Sequence, residues 1–363
     1  MAKTISKEIS KDTEDAIASM TPEEFKQRVQ QQAGKLLTQI AGYVATRTMD
    51  IGIRLGILEG IAKHPQGIAS DALAKQLGLD PFYVKVWCNA AYAAELVEMD
   101  ENQNYSVSPY VAKLLLDKTF PGYIGGIPQV LDQPEIFDRF AENLPTGERT
   151  WWDQTSPTFI DAVGLAGISS YTRVIPEGLS QIPGLAERLN NGGGQILELA
   201  SGTGTGLIRM ANAYPQSSLV GVDGDGFSLE QTKKTLQAEG LQERISLEHS
   251  WLEDVDKSEE FDMVLINNTM HECRDIDKVT KNVYNALNPE GFFVISDFPF
   301  PETPQGLRTV PGRIMSGIQF FEALIGDQLL STQTYVDLLK KHGFKNVGSF
   351  DLTPVHVVVY GQK

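Results

Sequence analysis

The stretch from Ile196 to Gly226, ILELASGTGTGLIRMANAYPQSSLVGVDGDG, constrains the fold more than any other part of the chain. An apolar strand runs into a glycine-rich turn, a helix follows, and a second strand ends on an acid. Two strands joined by a crossover helix form a βαβ unit, which calls for a mostly parallel sheet with helices on both faces. Strands keep alternating with helices to the C-terminus, as ISLEHS, FDMVLINN, GFFVISDF, FKNVGSF and HVVVYGQ. The expected domain is therefore α/β and Rossmann-like with seven strands, spanning 191–363 behind the boundary signal NNGGG.

Three further regions precede it. Residues 1–20 are polar and expected to form a flexible N-terminus. Residues 21–117 are mostly helical. TPEEF opens this region with Thr21 as N-cap and Glu24 completing a capping box. TRTMDIGIRLGILEGIA, ASDALAKQLG and DPFYVKVWCNAAYAAELVEM then read as three helices, and LVEMDENQNYSVS as a hairpin. Three helices and a wing make a winged-helix unit. Residues 118–190 connect the two domains through the aromatic stretch TWWDQTSPTF and a helix around ISSYTRVIPEGLSQI.

Charge narrows the function. The formal net charge of −16 works against a phosphate-binding surface. A DNA-reading winged helix would carry basic side chains on its third helix. From Asp80 to Glu101 the only basic residue is Lys85, against five acids. Cys88 and Cys273 lie far apart and give no disulfide framework, and no apolar run is long enough to cross a bilayer. The expectation is a cytoplasmic protein with no nucleic-acid or membrane partner.

The glycines restrict the ligand. A P-loop needs Lys and then Ser or Thr after its last glycine, but Gly206 is followed by Leu207. The dinucleotide fingerprint needs a third glycine where Leu207 stands. Neither pattern fits. What remains is Glu198, Ala200, Gly202 and Gly204, then Asp223 and Gly224 at the end of the next strand.

This arrangement resembles the cofactor site of class I S-adenosylmethionine-dependent methyltransferases. With a winged helix in front, the whole is similar to the small-molecule O-methyltransferases. The resemblance implies S-adenosylmethionine as donor, S-adenosylhomocysteine as product, no metal, and a homodimer formed through the N-terminal helical domain. It implies that the glycine turn meets the methionine portion and that Asp223 accepts hydrogen bonds from the ribose. It also implies cofactor contacts at Ser250, Trp251 and Asn267, and Arg173 is a candidate clamp for the cofactor carboxylate. Ala200 departs from the family, which often has glycine there, and Ser250 stands where many relatives have Asp.

His271, in NNTMHE, matches the place where these O-methyltransferases carry the base that removes the acceptor proton. His64, His249, His342 and His356 show no metal-ligand spacing. The acceptor pocket is expected from Trp151, Trp152 and Phe159 on one segment and Met315, Phe320 and Phe321 on another, with Arg313 as a partner for a substrate carboxylate. A thiol, thioether or amine acceptor would need little or no base and stands as the alternative. A winged-helix regulator that senses the same cofactor is the alternative from a different class.

Overall fold

The computed structural model describes residues 17–150, 152–190 and 192–363, so most of the expected N-terminal segment and Trp151 lie outside the described residues. The chain divides into two compact units, 1–107 and 108–363.

In the first unit, helix α1 (Pro22–Arg54) starts at the capping box. Thr21 Oγ1 accepts from the Glu24 amide at 3.2 Å, and the Glu24 carboxylate accepts from the Thr21 amide at 2.9 Å. TRTMDIGIRLGILEGIA is not a separate helix. Its first half ends α1, and Gly56, with φ +66°, turns the chain into α2 (Ile57–Ala62). Glycine has no Cβ to clash in that left-handed region, which is why the break falls there. Helices α3 (Ser70–Leu77) and α4 (Pro81–Ala93) follow. Strands β1 (Ile68–Ala69), β2 (Glu98–Met99) and β3 (Asn104–Ser106) pair antiparallel in the order β1-β3-β2. Trp87 Nε1 donates to Thr48 O at 3.0 Å and ties α4 to α1.

The second unit holds the large sheet. Its strands are β4 (Gln195–Leu199), β5 (Ser218–Asp223), β6 (Ile245–His249), β7 (Phe261–Asn267), β8 (Leu287–Asp297), β9 (Lys345–Thr353) and β10 (His356–Gln362). Their order is β6-β5-β4-β7-β8-β10-β9, with β4 to β8 parallel and β10 antiparallel to both neighbours. Period-two alternation sorts the side chains onto two faces. Leu197, Val264, Ile266, Phe293 and Ile295 pack one way, against α8 (Ile276–Ala286) and α10 (Thr332–Lys341). Ile196, Met263, Leu265, Phe292 and Val294 pack the other way, against α6 (Thr205–Ala213). Three further helices of this unit are α5 (Pro157–Arg173), α7 (Gly226–Glu239) and α9 (Val310–Ile325).

Parallel strands end together. Leu199, Asp223, His249, Asn267 and Asp297 therefore share one edge of the sheet, and β10 begins there with His356. Open parallel sheets bind ligands at this edge.

Candidate active site

The turn after β4 is built for close approach. Gly202 and Gly204 have φ +51° and +82°, and Ala200 shares the left-handed region at +53°. A Cβ on Gly204 would strike Thr232 on α7, whereas one on Gly202 would meet nothing within 4 Å. Gly206 is small for another reason: a Cβ there would overlap Glu198 and Tyr171. Glu198 is fully buried beneath the turn, beside the Tyr171 hydroxyl and the Leu207 amide, and neither carboxylate oxygen has a well-formed partner. Burial pushes its pKa up to about 8, with the Asp223 charge adding to the rise. Burial, then Glu198, hold Tyr171 well above the ordinary tyrosine value.

Asp223 braces the same turn. Its Oδ2 accepts from the Gly202 amide at 2.7 Å and its Oδ1 from the Asp225 amide at 2.8 Å. Each oxygen keeps a second lone pair for a further donor. Next to it, the Ser250 amide donates to Asp223 O, while Ser250 Oγ bonds to Trp251 O. Trp251 is 58% exposed, so it is not a core residue. Its ring lies against Gly224, with Arg274 5.0 Å over it.

Asn267 ends β7 inside a chain of hydrogen bonds. Arg173 Nε donates to His356 Nδ1 (3.1 Å), which places the proton of His356 on Nε2, facing Ser296 Oγ at 2.6 Å. Ser296 Oγ donates to Asn267 Oδ1 at 2.7 Å, and Asn267 Nδ2 donates to Ser170 Oγ at 3.1 Å. Arg173 also donates to Pro121 O and Ser169 Oγ. The geometry therefore gives the guanidinium a role in this relay instead of leaving it a free clamp. Burial and the Arg173 charge depress His356 to a pKa of about 3.

His271 lies on a one-turn 3-10 segment just after β7, 4% exposed. Its Nδ1 sits 2.9 Å from both oxygens of Asp297, the last residue of β8. An ionised carboxylate only accepts, so Nδ1 carries a proton and donates. Asp297 is itself fixed by the Tyr335 hydroxyl at 2.7 Å and the Phe298 amide at 2.8 Å. His271 Nε2 has no partner, and faces Glu322 Oε2 at 3.5 Å and Glu272 Oε1 at 3.9 Å. Burial opposes a charge on His271, but Asp297 and Glu322 outweigh it and hold its pKa well above the ordinary value. Glu272 is pushed well up by burial and by Glu322, and Asp327 to about 6 for the same two reasons.

The expected acceptor residues separate. Trp152, Phe159 and Phe321 stack together with centroids 4.8 to 5.9 Å apart, and Trp152 Nε1 donates to Glu272 Oε2 at 3.2 Å. Met315 is buried on the same helix as Phe321. Phe320 instead packs on Phe137 and Phe140. Arg313 is exposed, and at 100° per residue it falls on the side of α9 opposite Glu322, so it does not join the acidic set. Sequence reading missed Asp297, Glu322, Glu272, Tyr335, Tyr171, Ser170, Ser296 and the role of His356. One signal was available: Glu322 is the lone acid in the apolar run IQFFEALIG.

Unpartnered polar atoms test the fit to a cofactor. Among the described residues seven buried side-chain atoms lack a hydrogen-bond partner. Six of them belong to Glu198, Ser201, Asn268, His271 and Glu322, at or facing this edge. Each such atom costs about 1–3 kcal/mol, so their concentration here marks a ligand site. A cavity of about 140 Å³ lined by Leu189, Asn190, Tyr214, Pro215 and Gln216 lies at the opposite edge, away from this chemistry.

Residues 190–336 match the methyltransferase domain family. The chain is an S-adenosylmethionine-dependent methyltransferase. A ubiquinone/menaquinone biosynthesis C-methyltransferase of Citrifermentans bemidjiense is 27% identical over 185 residues, 47% of this chain and 78% of that relative. Among solved structures, mitomycin 7-O-methyltransferase superposes with a TM-score of 0.67 at 16% identity, covering 93% of this chain and all of its own. Human N-acetylserotonin methyltransferase in complex with S-adenosylmethionine gives 0.67 at 14%, covering 92% of this chain and 98% of its own. At such identities the likeness is one of fold. The methyltransferase fold explains the sheet order, and the glycine turn with the remaining acceptor capacity of Asp223 suits a ligand with a charged amino-acid end and a ribose.

Proposed function

We propose that this methyltransferase acts on a small organic hydroxyl and that His271 removes the acceptor proton. One observation carries the reading: Asp297 holds Nδ1 at 2.9 Å while Nε2 has no protein partner. A carboxylate behind an imidazole fixes its orientation and stabilises the imidazolium that forms on proton abstraction. S-adenosylmethionine supplies the activated methyl group. The protein then contributes orientation and a water-poor site. Trp152, Phe159 and Phe321 supply apolar walls beside Glu272 and Glu322, which favours a planar acceptor without a carboxylate of its own. His271 sheds its extra proton more readily beside a sulfonium, since like charges oppose each other. Asp223 is assigned to the ribose and the turn from Ala200 to Gly204 to the methionine end.

The C-methyltransferase relative supports a second reading, transfer to a ring carbon beside a hydroxyl, for which the same base serves. Incubating the enzyme with methyl-labelled donor and a panel of phenols and hydroxylated heterocycles tests both, since the labelled position identifies the acceptor atom. His271→Ala is expected to lower kcat about 10²–10⁴-fold while leaving the donor Kd unchanged. Full turnover by that variant removes the base assignment.

The reading extends to the first unit. α1 exposes Phe25, Val29, Leu36, Ile40, Tyr43 and Val44 at helical spacing along one side. We infer a homodimer, with a winged-helix domain providing its interface. No helix among the described residues is long and apolar enough to cross a membrane, which is compatible with a cytoplasmic location.

A further inference from the structure

We propose that His271 Nε2, Glu322 Oε2 and Glu272 Oε1 form a binding site for a zinc-class divalent cation, and that the cation excludes the acceptor. Sequence spacing gave no hint of it, because Glu322 arrives from α9.

Geometry is the first support. Nε2 lies 3.5 Å from Glu322 Oε2 and 3.9 Å from Glu272 Oε1, and the three residues can offer ligand atoms all within 4.8 Å of one another. Zinc bound tetrahedrally at about 2.1 Å to nitrogen and oxygen sets neighbouring ligands roughly 3.4 Å apart. Both separations measured from Nε2 are within about 0.5 Å of that spacing.

The unpartnered atoms are the second, independent support. His271 Nε2 and Glu322 Oε2 are both buried without a hydrogen bond, on residues 4% and 3% exposed, and they face each other. Exposed acidic clusters are solvated and need no ion. Here His271 and Glu322 are shut off from solvent, and only Glu272 is partly exposed.

The outer contacts are the third. A metal-bound histidine nearly always donates its other ring N–H to a carboxylate, a backbone carbonyl or water, and ligating carboxylates are themselves hydrogen-bonded. His271 Nδ1 already donates to Asp297, which Tyr335 and Phe298 anchor. Trp152 Nε1 occupies Glu272 Oε2 and leaves Oε1 to ligate. One nitrogen and two carboxylates suit zinc or cobalt better than calcium or magnesium, which prefer all-oxygen shells.

The consequence is inhibition. A cation on Nε2 takes the lone pair that a base needs, and it sits where the acceptor oxygen would approach. That consequence rests on the proposed base; the binding itself does not.

The test titrates the cofactor-free, full-length protein with Co²⁺ as a spectroscopic stand-in for zinc. We expect one equivalent to bind with a visible ligand-field band, and Zn²⁺ to displace it. His271→Ala and Glu322→Gln should each abolish the band, and Asp297→Asn should weaken binding about 10–100-fold. An unchanged Kd for S-adenosylmethionine shows that each variant is folded. His342→Gln, which alters the surface pair with Asp277, should leave the titration as it was. Absence of a saturable band, survival of the band in His271→Ala, or its loss in His342→Gln would each overturn the site. Normal turnover by His271→Ala would remove the base without touching the cobalt result.

Discussion

His356 Nε2 lies 2.6 Å from Ser296 Oγ, at the start of the antiparallel strand and the end of its neighbour. The bond closes a relay that reaches Asn267, so the neutral imidazole is part of the frame of the cofactor edge. Its pKa is about 3 in the fold and about 6.5 unfolded. The group therefore contributes stability that is fully present above pH 6.5 and is lost as pH falls towards 3. Urea midpoints measured across that window should fall in the native protein and stay nearly level in His356→Gln, once the two are scaled at pH 7. Parallel curves would refute the assignment.

Glu198 works in the opposite direction. Its folded pKa of about 8 lies above the unfolded carboxylate value near 4.3, so the native state holds the extra proton. Stability from this group is complete below pH 4.3 and is lost as pH rises through 8. Glu198→Gln should flatten that alkaline limb in the cofactor-free protein. Gly206→Ala presses a methyl onto the same carboxyl and should cost about 1–3 kcal/mol, read as a lowered denaturation midpoint.

Asp223→Ala removes the acceptor assigned to the ribose together with the brace on the Gly202 amide. Hydrogen bonds to a charged group are worth about 1.5–3 kcal/mol, so donor binding should weaken roughly tenfold or more. An unaltered dissociation constant by calorimetry would contradict the ribose role.

The exposed stripe on α1 predicts the oligomeric state. Ile40→Glu places a charge in the middle of that stripe, where it would be buried without a partner in a dimer. Sedimentation velocity should show the native chain as a dimer and the variant shifted towards monomer with an unchanged circular dichroism spectrum. A native monomer would end the interface assignment.

Much of the fold could be read from local pattern. The βαβ run from Ile196 to Asp223 dictates parallel strands, and parallel strands bring Leu199, Asp223, Asn267 and Asp297 to one edge whatever else happens. Thr21 and Glu24 mark a helix start by their own side chains. Local pattern could not show that α1 continues to Arg54, because only packing decides whether a helix stops at a polar stretch. The residue-level roles were harder. Arg173 is a candidate cofactor clamp by its place in the sequence, whereas its guanidinium bonds to His356 on the last strand.

The sequence alone determined the order of elements, the glycine turn and the place of His271 after the fourth strand of the domain, because those depend on neighbours in the chain. Tertiary structure decided that Ser296 and Asp297, adjacent residues, serve opposite faces of the sheet, one in the Asn267 relay and the other behind His271. It also decided that Glu322 and Tyr335 join that second set. Their chemistry depends on distances of a few ångströms between residues far apart in sequence, and packing of α9 and α10 against the sheet sets those distances.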